Sequence, residues 1–223
     1  VSSAASDVYK RQEEVSYWGS RLNTARANDS RTRYWLARAS AQSGKPTEFE
    51  QLALQRNYYG FLAALQLGSE ASLQAMPDQS LSREEESLLL NIPGIARAVE
   101  LFAVGDDLNG RREWYQQLDQ QNQETQHAMA HLAKRLGKLF LSIQTANKAG
   151  ARDDLAVRFP TAYGAIFDEV AMRRGMDGNL LRAITRQESA FQTKAKSRAG
   201  ALGLMQVMPA TAKLAIRRGG LAK

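Results

Sequence analysis

The chain has 223 residues, 43 % of them hydrophobic and 24 % charged, a balance that fits one large or two modest globular domains. No stretch approaches the roughly 18 uninterrupted apolar residues of a membrane helix, and the absence of cysteine excludes disulfides and thiolate metal sites. The net charge of +7 is uneven: no Asp or Glu follows Glu188, whereas Lys194, Lys196, Arg198, Lys213, Arg217, Arg218 and Lys223 do.

In chain order, Val1–Gln12 is small and polar at its start, carries no secretory n-region, h-region and cleavage site, and reads as non-native or disordered. From there apolar residues recur three and four apart, the helical period, with no convincing strand alternation. Gly and Pro punctuate short helices at Gly44-Lys45-Pro46, Gly60, Gly68, Pro77, Pro93-Gly94, Gly105, Gly110, Gly137, Gly150 and Pro160. The spacing predicts an all-α chain in three parts. Residues 13–75 read as helix pairs of a tetratricopeptide-like α-solenoid, with Trp18 and Trp35 in similar settings. Trp35, Leu36, Leu52, Tyr58, Phe61, Leu62 and Leu65 are its expected core. Residues 76–150 read as a second helical domain. There His127 and His131 lie four apart with Glu124 one turn earlier, but Ala128 occupies the glutamate position of a His-Glu-x-x-His zinc motif. No third ligand is visible in the sequence, so no metal is expected and the histidines read as a polar helix face.

Residues 151–223 form the third part. Asp153–Pro160 is expected as a crossing between domains, with Phe159-Pro160 forcing an extended turn. Tyr163, Ile166, Phe167, Val170 and Ala171 mark one helix, and Asn179–Phe191 another, capped by Asp177 or Asn179. Glu188 falls on the stripe of Leu180, Leu181, Ile184 and Phe191, while Arg182 and Arg186 lie on the other side. If that stripe is buried, the carboxyl should be hard to ionise, as a general acid near neutral pH requires. If Glu188 sits at its edge, the carboxylate turns out to water. Beyond it, Gly200 and Gly203 permit a tight turn, Gln206 is an amide inside an apolar run, and Pro209 opens a further helix.

The run Arg186-Gln187-Glu188-Ser189-Ala190-Phe191, then Ser197, then Gly200 through Ala212 (Gly-Ala-Leu-Gly-Leu-Met-Gln-Val-Met-Pro-Ala-Thr-Ala) resembles the signature of the soluble lytic murein transglycosylases. Arg112-Glu113-Trp114-Tyr115 and Arg158-Phe159-Pro160-Thr161-Ala162-Tyr163 resemble that family's linker domain and domain junction. The resemblance implies the end of an α-superhelical ring, a linker domain and the first part of a goose-type-lysozyme-like catalytic domain, truncated at both ends. It implies Glu188 as a single acid and then base, which cleaves the bond between N-acetylmuramic acid and N-acetylglucosamine and closes a 1,6-anhydro ring. It also implies Ser197, Met205, Gln206, Gly200 and Gly203 at the substrate, no cofactor, peptidoglycan glycan strands as partner, a monomer, and a periplasmic location. A catalytic domain that runs on past Lys223 would leave the cleft incomplete and this chain inactive by itself. The other readings are a non-enzymatic α-solenoid scaffold for cell-wall glycan or proteins, which leaves the run from Glu188 to Thr211 unexplained, and nucleic-acid binding by the basic tail, which no recognition motif accompanies.

Overall fold

The computed structural model describes residues 14–15, 17–22, 24–42, 47–77 and 79–219; Val1–Gln12 and Gly44-Lys45-Pro46 lie outside them. Among the described residues the regular structure is α-helical, with two isolated antiparallel bridges, Lys196 to Leu202 and Leu202 to Val207. The all-α class read from the sequence holds. The chain divides into two compact units, the first ending at Gln74 and the second beginning at Ala75.

In the first unit, helices α1 (Thr24–Ala27), α2 (Ser30–Gln42), α3 (Phe49–Ala53) and α4 (Tyr58–Leu67) enclose a small core. It holds Tyr34, Ala37, Phe49, Leu52, Ala53, Ala63 and Ala64, with Tyr59 and Leu62 against it. Leu52 and Leu62 were expected there; Trp35, Tyr58 and Leu65 were too, but all three are exposed. The inward face of α2 is one residue earlier than expected, at Tyr34. The alanines around it leave room for three rings, with Phe49 5.8 Å and Tyr59 5.7 Å from Tyr34. Trp35 stays outside, with the Arg38 guanidinium 5.5 Å from its ring. At the α3–α4 junction Asn57 caps α4 by accepting the Gly60 N–H at 2.9 Å, and its amide donates to the Ser30 hydroxyl on α2 at 3.1 Å.

In the second unit, α5 (Arg83–Leu90), α6 (Pro93–Ala103), α7 (Asp107–Leu118), α8 (Gln123–Arg135) and α9 (Leu139–Lys148) surround the larger core. Leu81, Leu89, Ile95, Phe102, Trp114, Leu118, Met129, Leu132 and Leu141 are its large members. Helix α5 opens with a capping box: the Ser82 hydroxyl accepts the Glu85 N–H and the Glu85 carboxylate accepts the Ser82 N–H at 2.7 Å. The backbone N–H and then the hydroxyl of Ser82 hold the Glu85 carboxyl below its ordinary range. Gly60 and Gly110, expected as breaks, lie inside α4 and α7. There a Cβ would strike the Gln55 carbonyl and the Phe102 ring, so their role is close approach.

Helix α9 serves three clusters. Successive residues turn by about 100°, which sends Leu141 into the main core, Ala146 toward Ala130 and Val157, and Ile143 toward Phe167 and Phe191. The fully buried Trp114 indole donates to the Thr145 hydroxyl at 3.0 Å and pins α9 to α7. The crossing at Asp153–Pro160 holds a helical turn, α10 (Leu155–Arg158), which the chain leaves at Phe159 with φ −130° and ψ 59°. Buried Asp154 caps it by accepting the Val157 N–H at 3.2 Å.

Thr145→Val keeps the shape of the side chain but leaves the Trp114 N–H buried without an acceptor. It is expected to cost about 1–3 kcal/mol in urea unfolding followed by far-UV circular dichroism. Ser82→Ala is expected to cost about 1 kcal/mol. The Glu85 carboxyl is depressed in the folded state, so its contribution is present above about pH 4.3 and is lost as pH falls through the folded value. The variant should therefore lose less stability than the parent on acidification over that range.

Candidate active site

Two further helices, α11 (Gly164–Arg174) and α12 (Gly178–Ser189), position Glu188. Asp177 caps α12 by accepting the Asn179 N–H at 2.8 Å, one of the two caps expected. The near approach of α11 rests on Gly178, where a Cβ would meet the Asp168 carboxylate, and Asp168 also accepts from Arg182 at 2.7 Å. The inward face of α12 is Gly178, Thr185 and Ser189, with Leu181 half-buried in the cluster of Ile143, Phe167 and Phe191.

Leu180, Ile184 and Glu188 do share one row, as their spacing of four requires, but that row faces outward and all three are exposed. The expectation of a buried glutamate is corrected: the helix packs through the row of small residues beside Leu181, because Gly178 and Ser189 permit closer approach than Leu180 or Ile184 could. Among the described residues, no hydrogen bond or ion pair engages the Glu188 carboxylate.

Glu188 lies in the last turn of α12, and the chain after it is held tightly. The Ser189 hydroxyl donates to the Leu204 carbonyl at 2.7 Å. Ala190 and Phe191 follow with φ of +47° and +67°, left-handed conformations that cost non-glycine residues about 1–3 kcal/mol each. Burial of Phe191 among Ile143, Phe167 and Leu181 offsets that strain. The turn therefore sets the direction of the chain leaving Glu188.

The loop that follows is built by residues the sequence singled out. Ser197 accepts the Ala201 N–H on its hydroxyl oxygen at 3.0 Å, closing the turn that contains Gly200, φ +92°. Gly203, φ +74°, donates its N–H to the Ala195 carbonyl at 2.8 Å. The Gln206 amide donates to the Gly203 carbonyl at 2.9 Å and the Ala195 carbonyl at 3.2 Å, and its own φ is +47°. Met205 is half-buried beside it. Pro209 opens helix α13 (Pro209–Gly219), which buries no residue.

Glu188 and Gln206 meet on the wall of an open cavity of about 410 Å³. Ser197, Gly200, Gly203 and Met205 do not line it; they shape the loop that presents Gln206. The sequence missed the opposite wall, Phe140, Gln144 and Asn147 of α9, as well as Arg186, Gln192 and Lys196. The only signal was weak: Gln144 and Asn147 are amide positions three apart on one side of the helix. Arg186, expected to face away from Glu188, lines the same cavity. Its guanidinium donates to the Arg158 carbonyl at 2.6 Å and sits 4.1 Å from the Phe159 ring, and burial, with Arg158 nearby, lowers its pKa. Glu188 is the one carboxylate among the cavity's lining residues. The sequence found no third ligand for His127 and His131, but the fold supplies one: Asp154, not Glu124, meets both rings.

Residues 88–155 match the soluble lytic murein transglycosylase L domain and residues 165–222 the transglycosylase SLT domain, in that order and over more than half of the chain. The soluble lytic murein transglycosylase of Escherichia coli K12 is 32 % identical over 202 residues, which cover 89 % of this chain and 31 % of that protein. A putative soluble lytic murein transglycosylase of Haemophilus influenzae is 29 % identical over 90 % of this chain and 33 % of its own length. Among solved structures, an inactive mutant of the lytic transglycosylase Slt from Pseudomonas aeruginosa superposes with a TM-score of 0.84 at 35 % identity, over 96 % of this chain and 35 % of that one. The chain thus spans about a third of the length of these relatives. With both domains matched in order and the same all-α architecture in the solved relatives, this chain belongs to the soluble lytic murein transglycosylase family.

Proposed function

We propose that the chain works as part of a peptidoglycan lytic transglycosylase, with Glu188 as acid and then base. The observation that carries this reading is an exposed, unpaired Glu188 carboxyl on the wall of a polar cavity that, among the described residues, no other carboxylate lines. A two-carboxylate glycosidase needs a second acid as nucleophile or as base for water. With Glu188 as the one acid, the nucleophile in this reading comes from the substrate. Glu188 gives its proton to the oxygen leaving C1 of N-acetylmuramic acid as the bond to N-acetylglucosamine breaks. It then takes the proton of the muramoyl C6 hydroxyl, which closes onto C1 as the 1,6-anhydro ring. The proton count balances and no water is consumed.

In this reading Gln206, with both amide hydrogens already committed to backbone carbonyls, keeps its carbonyl oxygen available to the sugar. Ser197 still has a hydroxyl hydrogen to donate, and Gly200, Gly203 and Met205 shape the loop on which the glycan rests. Lys196 and Arg186 suit the acidic stem peptides of the wall. The domain division that goes with it is an end of the α-superhelix over 13–75, a linker domain over 76–150 and a partial catalytic domain over 151–223. A monomer in the periplasm, where the glycan lies, is the matching context; a secretion signal in the complete gene would support it, and its absence would count against it.

The test digests purified sacculi and reads the glycan ends by mass spectrometry, using the chain alone and the chain joined to the C-terminal remainder of the Escherichia coli relative. Anhydromuramoyl ends are expected, and Glu188→Gln should cut their formation at least about 10³-fold. Reducing ends would identify a hydrolase, and no release from either form would overturn the reading. Gln206→Ala frees the loop to shift and is expected to lower the rate about 10²-fold while the far-UV circular dichroism is unchanged.

A further inference from the structure

Helix α8 carries His127 and His131 four residues apart, so both rings project from one face. They meet the carboxylate of Asp154. One oxygen, Oδ2, lies 2.7 Å from His127 Nε2 and 2.6 Å from His131 Nε2, while Oδ1 accepts the Val157 N–H and so fixes the carboxylate plane. The three potential ligand atoms lie within 4.8 Å of one another. Asp154 and His131 are buried, at 2 % and 8 % exposure. His127 is half-buried, and both histidines line a cavity of about 380 Å³ that also carries Glu85 and Glu124 and shares no residue with the Glu188 cavity.

We propose that His127, His131 and Asp154 form a binding site for a divalent transition-metal ion, zinc foremost. Two imidazole nitrogens and one carboxylate oxygen are the donor set that zinc prefers, with a fourth, solvent-side position open to the cavity. Calcium and magnesium favour all-oxygen shells, which these residues do not offer. With both rings hydrogen-bonded to Oδ2, each must carry its proton on Nε2, which places two donors on one carboxylate oxygen. An ion takes the place of both protons: the Nε2 lone pairs turn to the metal and the rings carry their protons on Nδ1.

Tetrahedral bonds of about 2.0–2.1 Å separate ligand atoms by about 3.4 Å, so each present contact has to lengthen by about 0.7 Å. His127, the least buried of the three and on the cavity wall, has the space to supply that movement. Asp154 is held by α10 and His131 by the core of α8. The carboxylates of Glu85 and Glu124 in the same cavity attract a cation and mark its way in. A bound ion would join α8 to the segment leading into α10, which the clamp already does through hydrogen bonds alone.

The test titrates zinc into the metal-stripped 223-residue chain by calorimetry, with cobalt as a visible-absorption probe. One ion per chain is expected, with tetrahedral cobalt bands and a rise in melting temperature of about 5–10 °C at a hundredfold excess over Kd. His127→Ala should keep its circular dichroism and lose more than about 100-fold in affinity, beyond what loss of an indirect support costs. Glu188→Gln should bind zinc as the parent does. Binding weaker than about 100 µM, or binding that survives in both His127→Ala and Asp154→Asn, would overturn the proposal and leave a metal-free hydrogen-bonded clamp. Imidazole ¹⁵N spectra of the parent give a readout that needs no variant: zinc should move the proton from Nε2 to Nδ1 in both rings, and unchanged rings would refute the site.

Discussion

The contact on which the candidate site depends is Ile143 of α9 against Phe191. Phe191 stands three residues after Glu188 in a left-handed conformation that its own backbone disfavours. Its ring stays there because Ile143, Phe167 and Leu181 bury it, and Ile143 is in turn fixed by the helix that carries Leu141 into the main core. The Trp114–Thr145 hydrogen bond locks the same helix at its other side. Glu188 is thus aimed from outside its own helix: α12 supplies the residue, and the packed helix α9 decides where α12 must end.

The same arrangement explains why α9 brings polar side chains to the cavity. Gln144 and Asn147 lie on a face of α9 that the three clusters leave uncovered, and they line the same cavity as Glu188. Lys196 and Gln206 reach the cavity from a loop whose shape is set by backbone hydrogen bonds, chiefly from Gly203 to Ala195 and between Leu202 and Val207. A rigid helix on one side and a hydrogen-bonded loop on the other give the carboxyl a defined surround without any ion pair.

Much of this was legible in the sequence, and the parts that were not share one physical origin. The row of Leu180, Ile184 and Glu188, the Asp177 cap and the Pro209 helix start follow from local spacing and chemistry. Which face of α12 turns inward does not, because Gly178 and Ser189 win by allowing close approach, and that benefit depends on a partner helix. Tyr34 displaced Trp35 from the first core for a similar reason, since the alanines around it made a socket for the smaller ring. The Asp154 partner of the two histidines was out of reach because it lies 23 and 27 residues further on, in a segment read as a crossing between domains.

Helix α9 also has an evolutionary consequence. Leu141, Ile143, Thr145 and Ala146 each answer to a different set of neighbours, so a substitution there is judged by several selections at once. A change that improves the main core can redirect Glu188, and one that retunes the cavity can loosen the core. Relatives of this chain can therefore diversify freely in the exposed turns around it, while these few positions can change only in step with residues on three separate sides.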